Sequence, residues 1–568
     1  MTPSNRHLWQ RFWAIAAPYW RQDERLKAWG LLALLVLLLL GQTRFAVLFN
    51  DQTGEFTSAL AARDEQRFWD SIRYCLGLLG LAVPIFALYY FVRDTLAVHW
   101  RRWLTHRFLE SYFSHRHFYE LTANAGIDNP DQRVAEDINT FTQRSLYFLL
   151  VIIGSLLQLV AFSRVLWSIS HELVYFLILY AVFGTLVVIF VFGTRLMSLN
   201  FLQLRREADF RFSLVRVREN AESIAFYRGE AQELQQVRKR FGAAFKNFKR
   251  LIRNQLGLNF FQHAYGLLTI VLPSAIIASR VLSGELEVGR AVQAAGAFAA
   301  VLSAISLIVE NFEGLSRFAA GIERLDSLAR FLPGQSEHAP HSGLILSVDA
   351  PQLALDNVTL QTPDRQRVLV RNLTLEVGPG RGLLIVGDSG SGKSSLLRAV
   401  AGLWNAGSGT IYRPLAHDML FLPQQPYMLL GTLRSQLLYP NRACAVADAE
   451  LLKLLERVNL PDLAARVGGL DVEIDWAKFL SVGEQQRLAF ARVLLSKPRF
   501  AILDEATSAL DSANEAALYR QLQELDTTLV SVAHRQSVLK YHQQVLELLG
   551  DCTWQTHPAA GYQFRRYD

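Results

Sequence analysis

From Ala28 to Phe49 nearly every position is apolar, most densely from Leu31 to Leu40. Comparable runs recur at about Ile72–Val92, Leu146–Trp167, Leu173–Met197, Leu258–Leu282 and Ala291–Val309. A helix needs roughly 20 apolar residues to cross a hydrocarbon core, so this pattern predicts six membrane spans. Pro84 in the second and Pro273 in the fifth are tolerable as kinks where neighbours satisfy the freed carbonyls. The sixth is rich in small residues (Ala294, Ala295, Gly296, Ala297, Ala299, Ala300), which allow close approach and predict a place inside the bundle. Ahead of the first span, Trp9, Phe12, Trp13, Ala16 and Trp20 recur at helical spacing beside Arg6, Arg11 and Arg21. No small-residue cleavage site follows, so this stretch predicts an amphipathic helix at the membrane surface rather than a signal peptide.

The pattern changes near Phe331. The segment from there to Gly343 is rich in Pro, Gly, Ser and His and reads as a linker. Beyond it, short apolar strands alternate with helical segments, as in an α/β nucleotide-binding domain. The expected fold is an α-helical six-span membrane domain over 1–330, a linker over 331–345 and an α/β P-loop domain over 346–568. A chain of 568 residues is too long for one core. It ends 16 residues past Cys552, so no further domain is expected.

Charge sets the orientation. The net charge is +7, and 14 Lys/Arg lie between Arg195 and Arg253. The loop expected from Asp51 to Asp70 has only Arg63 and Arg67, and the turns at 168–172 and 284–289 have none. Basic loops stay in the cytoplasm, so both termini are cytoplasmic and the basic excess calls for no nucleic-acid partner. The two long cytoplasmic loops look like extended helices. In the first, Asp128-Asn129-Pro130-Asp131-Gln132-Arg133 reads as a helix start, with Asn129 as cap. In the second, Glu219 to Glu230 mixes acidic and aromatic residues and breaks at Gly229. Cys75, Cys444 and Cys552 lie far apart and suggest neither a disulfide nor a metal site.

The chemistry lies after the linker. Gly387-Asp388-Ser389-Gly390-Ser391-Gly392-Lys393-Ser394 fits a phosphate-binding loop between an apolar run, Leu383–Val386, and a helix opening at Ser395. The glycines let the backbone aim N–H groups at an anion, and the helix start adds positive potential. Lys393 can neutralise phosphate charge, and the Ser394 hydroxyl can bind Mg²⁺. Leu480-Ser481-Val482-Gly483-Glu484 opens another helix and offers a second anion site. Phe500–Leu503 is an apolar strand ending in Asp504 and Glu505, one placed to hold Mg²⁺ through water, the other to polarise an attacking water.

These motifs, with Gln424 in Phe421-Leu422-Pro423-Gln424, Asp511 in Ser508-Ala509-Leu510-Asp511 and His534 beyond a strand, stand in the order found in ATP-binding-cassette ATPases. The resemblance runs from about Leu353 onward. It implies that ATP and Mg²⁺ are bound by Gly387, Asp388, Ser389, Gly390, Ser391, Gly392, Lys393, Ser394 and Ser395. Ser481, Gly483, Glu484 and Asp511 would complete the site of a second copy. Ser394, Gln424 and Asp504 would hold the metal, Glu505 would act as the catalytic base, Gln424 would sense Mg²⁺ and couple the site to the membrane part, and His534 would hold the γ-phosphate and the water. Two departures stand out: Val482 and Glu484 replace the common Gly and Gln, and Thr362 stands where an aromatic usually stacks on adenine.

Asn129–Asp137, Asn220–Gly229 and the Trp476 lead-in resemble SbmA/BacA-like bacterial transporters with fused ATPase domains, and the peroxisomal fatty-acyl-CoA transporters. The resemblance implies an exporter-type half-transporter working as a dimer, a homodimer by expectation, with membrane lipids and a transported solute as further partners. Residues 219–229 would contact an ATPase domain, and the bacterial inner membrane would be the location. Gln42, Arg44, Gln158, Arg164, Gln262, His263 and Glu310 are polar positions in or near the spans. Import of hydrophilic solutes such as peptides or cobalamin is the expected function. A lipid or acyl-CoA cargo is the alternative, and an ATP-regulated channel or sensor the second.

Overall fold

The computed structural model describes residues 3–22, 24–123, 127, 129–310, 312–332, 344–440 and 446–564. Asp128, Cys444 and most of the expected linker lie outside these, and of Glu310 only the backbone is described. The chain divides into two compact units, Met1–Ser336 and Glu337–Asp568.

The first unit is helical. In chain order it contains α1 (Pro3–Arg21), α2 (Arg25–Ala62), α3 (Glu65–Phe113), α4 (His117–Ala123), α5 (Pro130–Ile169) and α6 (His171–Gly193). It continues with α7 (Thr194–Glu219), α8 (Ala221–Tyr227), α9 (Glu230–Leu282), α10 (Val288–Glu310) and α11 (Phe312–Phe331). Among the described residues, six helices are long and apolar enough to cross a membrane: α2, α3, α5, α6, α9 and α10. At 1.5 Å per residue, the 49 residues of α3 reach about 70 Å, more than twice a hydrocarbon core. The stretch expected as a loop from Asp51 to Asp70 is therefore mostly helix. α2 runs on to Ala62, Arg63 turns left-handed (φ 57°), and Asp64 caps α3 by accepting from the Arg67 N–H at 3.0 Å. Polar residues past the apolar run keep the helix going because nothing there breaks it.

α10 is the most buried of the six spans. A Cβ on its Gly289 would overlap the Gly54 carbonyl, and Ser58 Oγ accepts the Gly289 N–H at 3.0 Å, so small residues seat α10 against α2. α6 and α9 are joined by a reciprocal clasp. Tyr180 and Tyr265 stack 4.1 Å apart, and each hydroxyl donates to the other's backbone carbonyl.

Three local expectations are corrected. Asn129 sits at the N-cap of α5 but in a left-handed conformation with no side-chain cap; Pro130 alone starts the helix. Arg133, in the first turns of α5, is 3% exposed, and its guanidinium donates to Arg324 O (2.7 Å) and Ser327 Oγ (2.6 Å) of α11. On α1 the buried face is Ile15, Ala16 and Tyr19, with Phe12 packed on Phe141 and Phe318, while Trp9 and Trp13 turn outward. Arg11 pairs with Glu323 at 2.8 Å and Asp326 at 3.4 Å. This helix is thus fastened to α11 on one side, which leaves Trp9 and Trp13 as the surface-facing group, while Trp20 packs on Trp29 and Trp100. The break expected at Gly229 is made one residue earlier by Arg228, left-handed at φ 54°.

The second unit holds two larger sheets. β1 (Leu346–Asp349), β5 (Gly407–Arg413), β2 (Leu353–Gln361) and β3 (Val368–Val377) form one, in that order. β12 (Trp554–Pro558), β11 (Gln544–Leu548), β4 (Leu383–Gly387), β10 (Thr528–Val532), β9 (Phe500–Asp504) and β6 (Met419–Leu422) form the other. β7 (Leu430–Thr432) and β8 (Glu473–Asp475) make a small ribbon. In the six-stranded sheet all neighbours are parallel except β12, which returns antiparallel on β11. In chain order α12 (Lys393–Val400) follows β4, α13 (Leu433–Leu438) and α14 (Asp448–Arg457) come between β7 and β8, α15 (Val482–Ser496) precedes β9, and α16 (Ser512–Gln523) precedes β10. Strands buried on both faces read as unbroken apolar runs, as β4 and β9 do.

Candidate functional site

Parallel strands bring their carboxyl ends to one edge of a sheet, where loops can converge. β4, β6, β9 and β10 end there. β4 leads into the Gly387–Ser394 loop, β6 into Gln424, β9 into Asp504 and Glu505, and β10 into His534. Gly387, Gly390 and Gly392 hold φ of 146°, 82° and 102°. At Gly387 glycine is obligatory: a Cβ would strike the Leu548 carbonyl. Asp388, Ser389 and Gly390 are exposed at the loop's tip; Ser394 and Ser395 lie in the first turn of α12.

Lys393 is 7% exposed, and its Nζ donates to the Gly387 and Asp388 carbonyls at 2.8 Å each. Burial lowers its pKa, and Glu505, Asp388 and Asp504 offset this only in part. Ser394 Oγ donates to Asp504 Oδ1 at 3.1 Å. Burial pushes the Asp504 carboxyl up, outweighing Ser394, Arg398 and Lys393. Burial penalises the charge on the Lys393 ammonium and on the half-buried Asp504 carboxylate, so both are placed to gain from an arriving anion and cation. Among the described residues, Ser391 Oγ, buried in the loop, has no hydrogen-bond partner.

Glu505 is left-handed at φ 48°, an uncommon conformation for this residue type, kept in place by its N–H bond to Val532 O at 3.1 Å. The turn aims its carboxylate between two groups. Gln424 Nε2 donates to Oε2 at 2.9 Å, and His534 Nε2 lies 3.0 Å from Oε1. The structure therefore joins Gln424, Glu505 and His534, and beside them Ser394, Asp504 and Lys393.

Ser481, Gly483 and Glu484 form a separate group. Ser481 caps α15 in a full capping box: its Oγ accepts the Glu484 N–H at 3.3 Å, and Glu484 Oε2 accepts from Ser481 N and Oγ at 2.9 Å each. Arg466 Nη1 reaches the other oxygen, Oε1, at 2.6 Å. Burial raises the Glu484 pKa, but Arg466 and Ser481 win, and the net shift is downward. Gly483 is tight against Ala509 O. Among the described residues, no side chain of this group bonds to the phosphate loop. Asp511 caps α16, accepting from the Asn514 N–H and side-chain amide at 2.7 Å each.

Two groups escaped the sequence reading. Gln486, 1% exposed on α15, donates to Gln424 O and Ser508 Oγ at 3.2 Å and accepts from Ala509 N at 3.0 Å. It ties the Gln424 loop and the Ser508–Ala509 loop to α15; its place three residues after Gly483 was the available signal. Arg466 had none. Thr362 closes the turn between β2 and β3, with its Oγ1 on Asp364 at 2.5 Å and accepting from Arg367 N at 3.1 Å. A short hydroxyl there serves the turn, which accounts for the missing aromatic.

Residues 21–282 match the family model described as ABC transporter transmembrane region 2, and residues 370–508 match that described as ABC transporter. An uncharacterised ABC transporter ATP-binding protein of Synechocystis is 48% identical over 94% of this chain and 82% of its own. The Arabidopsis thaliana ABC transporter D family member 2, chloroplastic, is 38% identical over 95% and 86%. The human lysosomal cobalamin transporter ABCD4 is 31% identical over 92% of each chain.

Proposed function

The chain belongs to the ABC transporter family, as an integral membrane protein whose membrane region and ATP-hydrolysing domain are fused, and on that premise we propose that two copies of it form one ATP-driven importer of hydrophilic solutes. ATP would lie between the two ATPase domains. The Gly387–Ser395 loop of one copy would hold its phosphates, and Ser481, Gly483, Glu484 and Asp511 of the other would close over the γ-phosphate. A single chain supplies one phosphate loop and one signature segment, Leu480–Glu484, so a complete pair of sites needs two chains.

The observation that carries the chemistry is the Glu505 carboxylate, held between Gln424 and His534 beside the Ser394–Asp504 pair. Ser394, Gln424 and Asp504 offer only oxygen donors, the set that suits Mg²⁺. The metal when bound would supply charge neutralisation for the phosphates. Lys393 would exchange its two carbonyl acceptors for phosphate oxygens. Ser391, whose buried hydroxyl has no partner among the described residues, would be a further donor to them. Glu505 would take the proton of the attacking water, and His534 would hold that carboxylate and the γ-phosphate in line.

α8 supports a coupling role for residues 219–229: Phe226 and Tyr227 at its end are 78% and 87% exposed. They would dock on an ATPase domain and pass its closure to α7 and α9. By the positive-inside rule the basic loops would put that domain in the cytoplasm, with the inner membrane of a bacterium as the setting. Exposed Arg44, Arg164 and His263 favour a polar cargo, peptide or cobalamin-like, in keeping with the SbmA/BacA-like resemblance and with the human relative's name. The test is ATP hydrolysis by the purified chain in lipid, measured with cobalamin, a peptide and an acyl-CoA. Stimulation by either of the first two, with ATP-dependent accumulation in vesicles, supports the reading. Stimulation by acyl-CoA alone overturns the cargo, and conductance without accumulation replaces the pump by a channel.

A further inference from the structure

The signature serine has a conflict built into it. Its hydroxyl proton is given to Glu484 Oε2, and its lone pair accepts the Glu484 N–H. A phosphate oxygen can be bound by Ser481 only if that proton turns away from Glu484. The carboxylate would then stand beside a triphosphate, and like charges at such range repel. With the amide found in most such signatures, no charge would be present. What differs here is the use of the second oxygen. Arg466 contacts Oε1 at 2.6 Å, while Ser481 uses Oε2. The Glu484 side chain is 15% exposed and that of Arg466 46%, with the guanidinium 5.4 Å over the Phe479 ring, so the carboxylate end of the pair is partly shielded from solvent.

We propose that Arg466 is a positioning residue of the composite ATP site: it neutralises and anchors Glu484, freeing the Ser481 hydroxyl for the γ-phosphate of the nucleotide held by the other copy. Resting on the functional reading above, this assigns a role to a residue outside every nucleotide-binding motif. Arg466 touches no nucleotide. When Ser481 turns, Glu484 keeps Arg466 and the Ser481 backbone N–H, so the helix start is held while the hydroxyl changes partner. Arg466 is also the guanidinium that keeps negative potential off the arriving phosphate.

The test uses the full chain in lipid vesicles, with steady-state MgATP hydrolysis and thermal melting of each variant. Arg466→Gln raises KM for ATP roughly fivefold to tenfold and changes kcat much less, as expected for an uncompensated charge at a partly shielded site. Arg466→Lys recovers most of the loss. In a Glu484→Gln background, adding Arg466→Gln leaves KM where Glu484→Gln alone puts it, because there is no charge left to offset. An unchanged KM in Arg466→Gln overturns the proposal. So does a KM penalty that persists in the Glu484→Gln background, which marks Arg466 as a structural prop. A wild-type chain without Mg²⁺-dependent hydrolysis would instead sink the functional reading.

Discussion

The phosphate loop rises from a strand buried on both faces, whereas the signature serine stands at the exposed start of a helix. The first group is held by the ends of four parallel strands, and its spacing is set by backbone geometry: Gly387 against Leu548, Lys393 on two carbonyls, Glu505 on Val532. The second is held by side chains: a capping box, an ion pair and an amide. Backbone-built sites tolerate few substitutions but need few partners. Side-chain-built sites can depart from the common sequence, as at Val482 and Glu484, if a neighbour compensates.

The sharpest way to break this comparison is to remove the one side chain on which the first group's chemistry converges. Glu505→Gln should cut kcat at least a hundredfold with ATP still bound, whereas Ser481→Ala should cost on the order of tenfold. Steady-state hydrolysis with nucleotide-binding controls checks both, and equal losses would erase the distinction.

Acid offers a second lever. His542 lies buried beneath β10, its Nδ1 3.0 Å from Val538 O and its Nε2 2.9 Å from Ser531 Oγ, and burial pushes its pKa down to about 4. The native state thus holds it neutral. Its contribution is complete above the unfolded value near 6.5 and is lost as pH falls through about 4, up to about 3 kcal/mol. His542→Gln should flatten the pH dependence of unfolding over that window, read by denaturant titration.

Gln486 links the two groups. Gln486→Leu strands the Gln424 carbonyl and the Ala509 N–H, and should lower kcat roughly tenfold with a smaller change in KM. A KM effect alone would mean that the groups do not depend on one another. The smallest effect is expected at Thr362. Thr362→Tyr restores a stacking face and should lower KM for ATP about threefold. A rise in KM would show that the turn made by the threonine hydroxyl matters more.

The strand-built group was nearly all legible in the sequence, because apolar runs followed by Gly-rich or acidic residues are local patterns. Lys393, Asp504 and Glu505 could be placed within a few residues of one strand end. The helix-built group was half legible. Ser481 and Glu484, three apart, form a local box, but Arg466, 18 residues back, reaches Glu484 only through the fold. In the membrane unit the spans were legible from apolar length, while Arg133 was not: its acceptors on α11 lie 191 and 194 residues away. Asn129 failed as a cap because its left-handed backbone turns the side chain off the helix start.

Short-range physics is written in the sequence itself. Span number follows from hydrocarbon thickness, and the phosphate loop from glycine's freedom at positive φ. The tertiary structure decided which polar groups share a partner: Glu505 between Gln424 and His534, Glu484 between Ser481 and Arg466, Arg133 on α11. A side-chain hydrogen bond is set by distances of about 3 Å between groups that packing brings together, and no periodicity along the chain encodes that meeting.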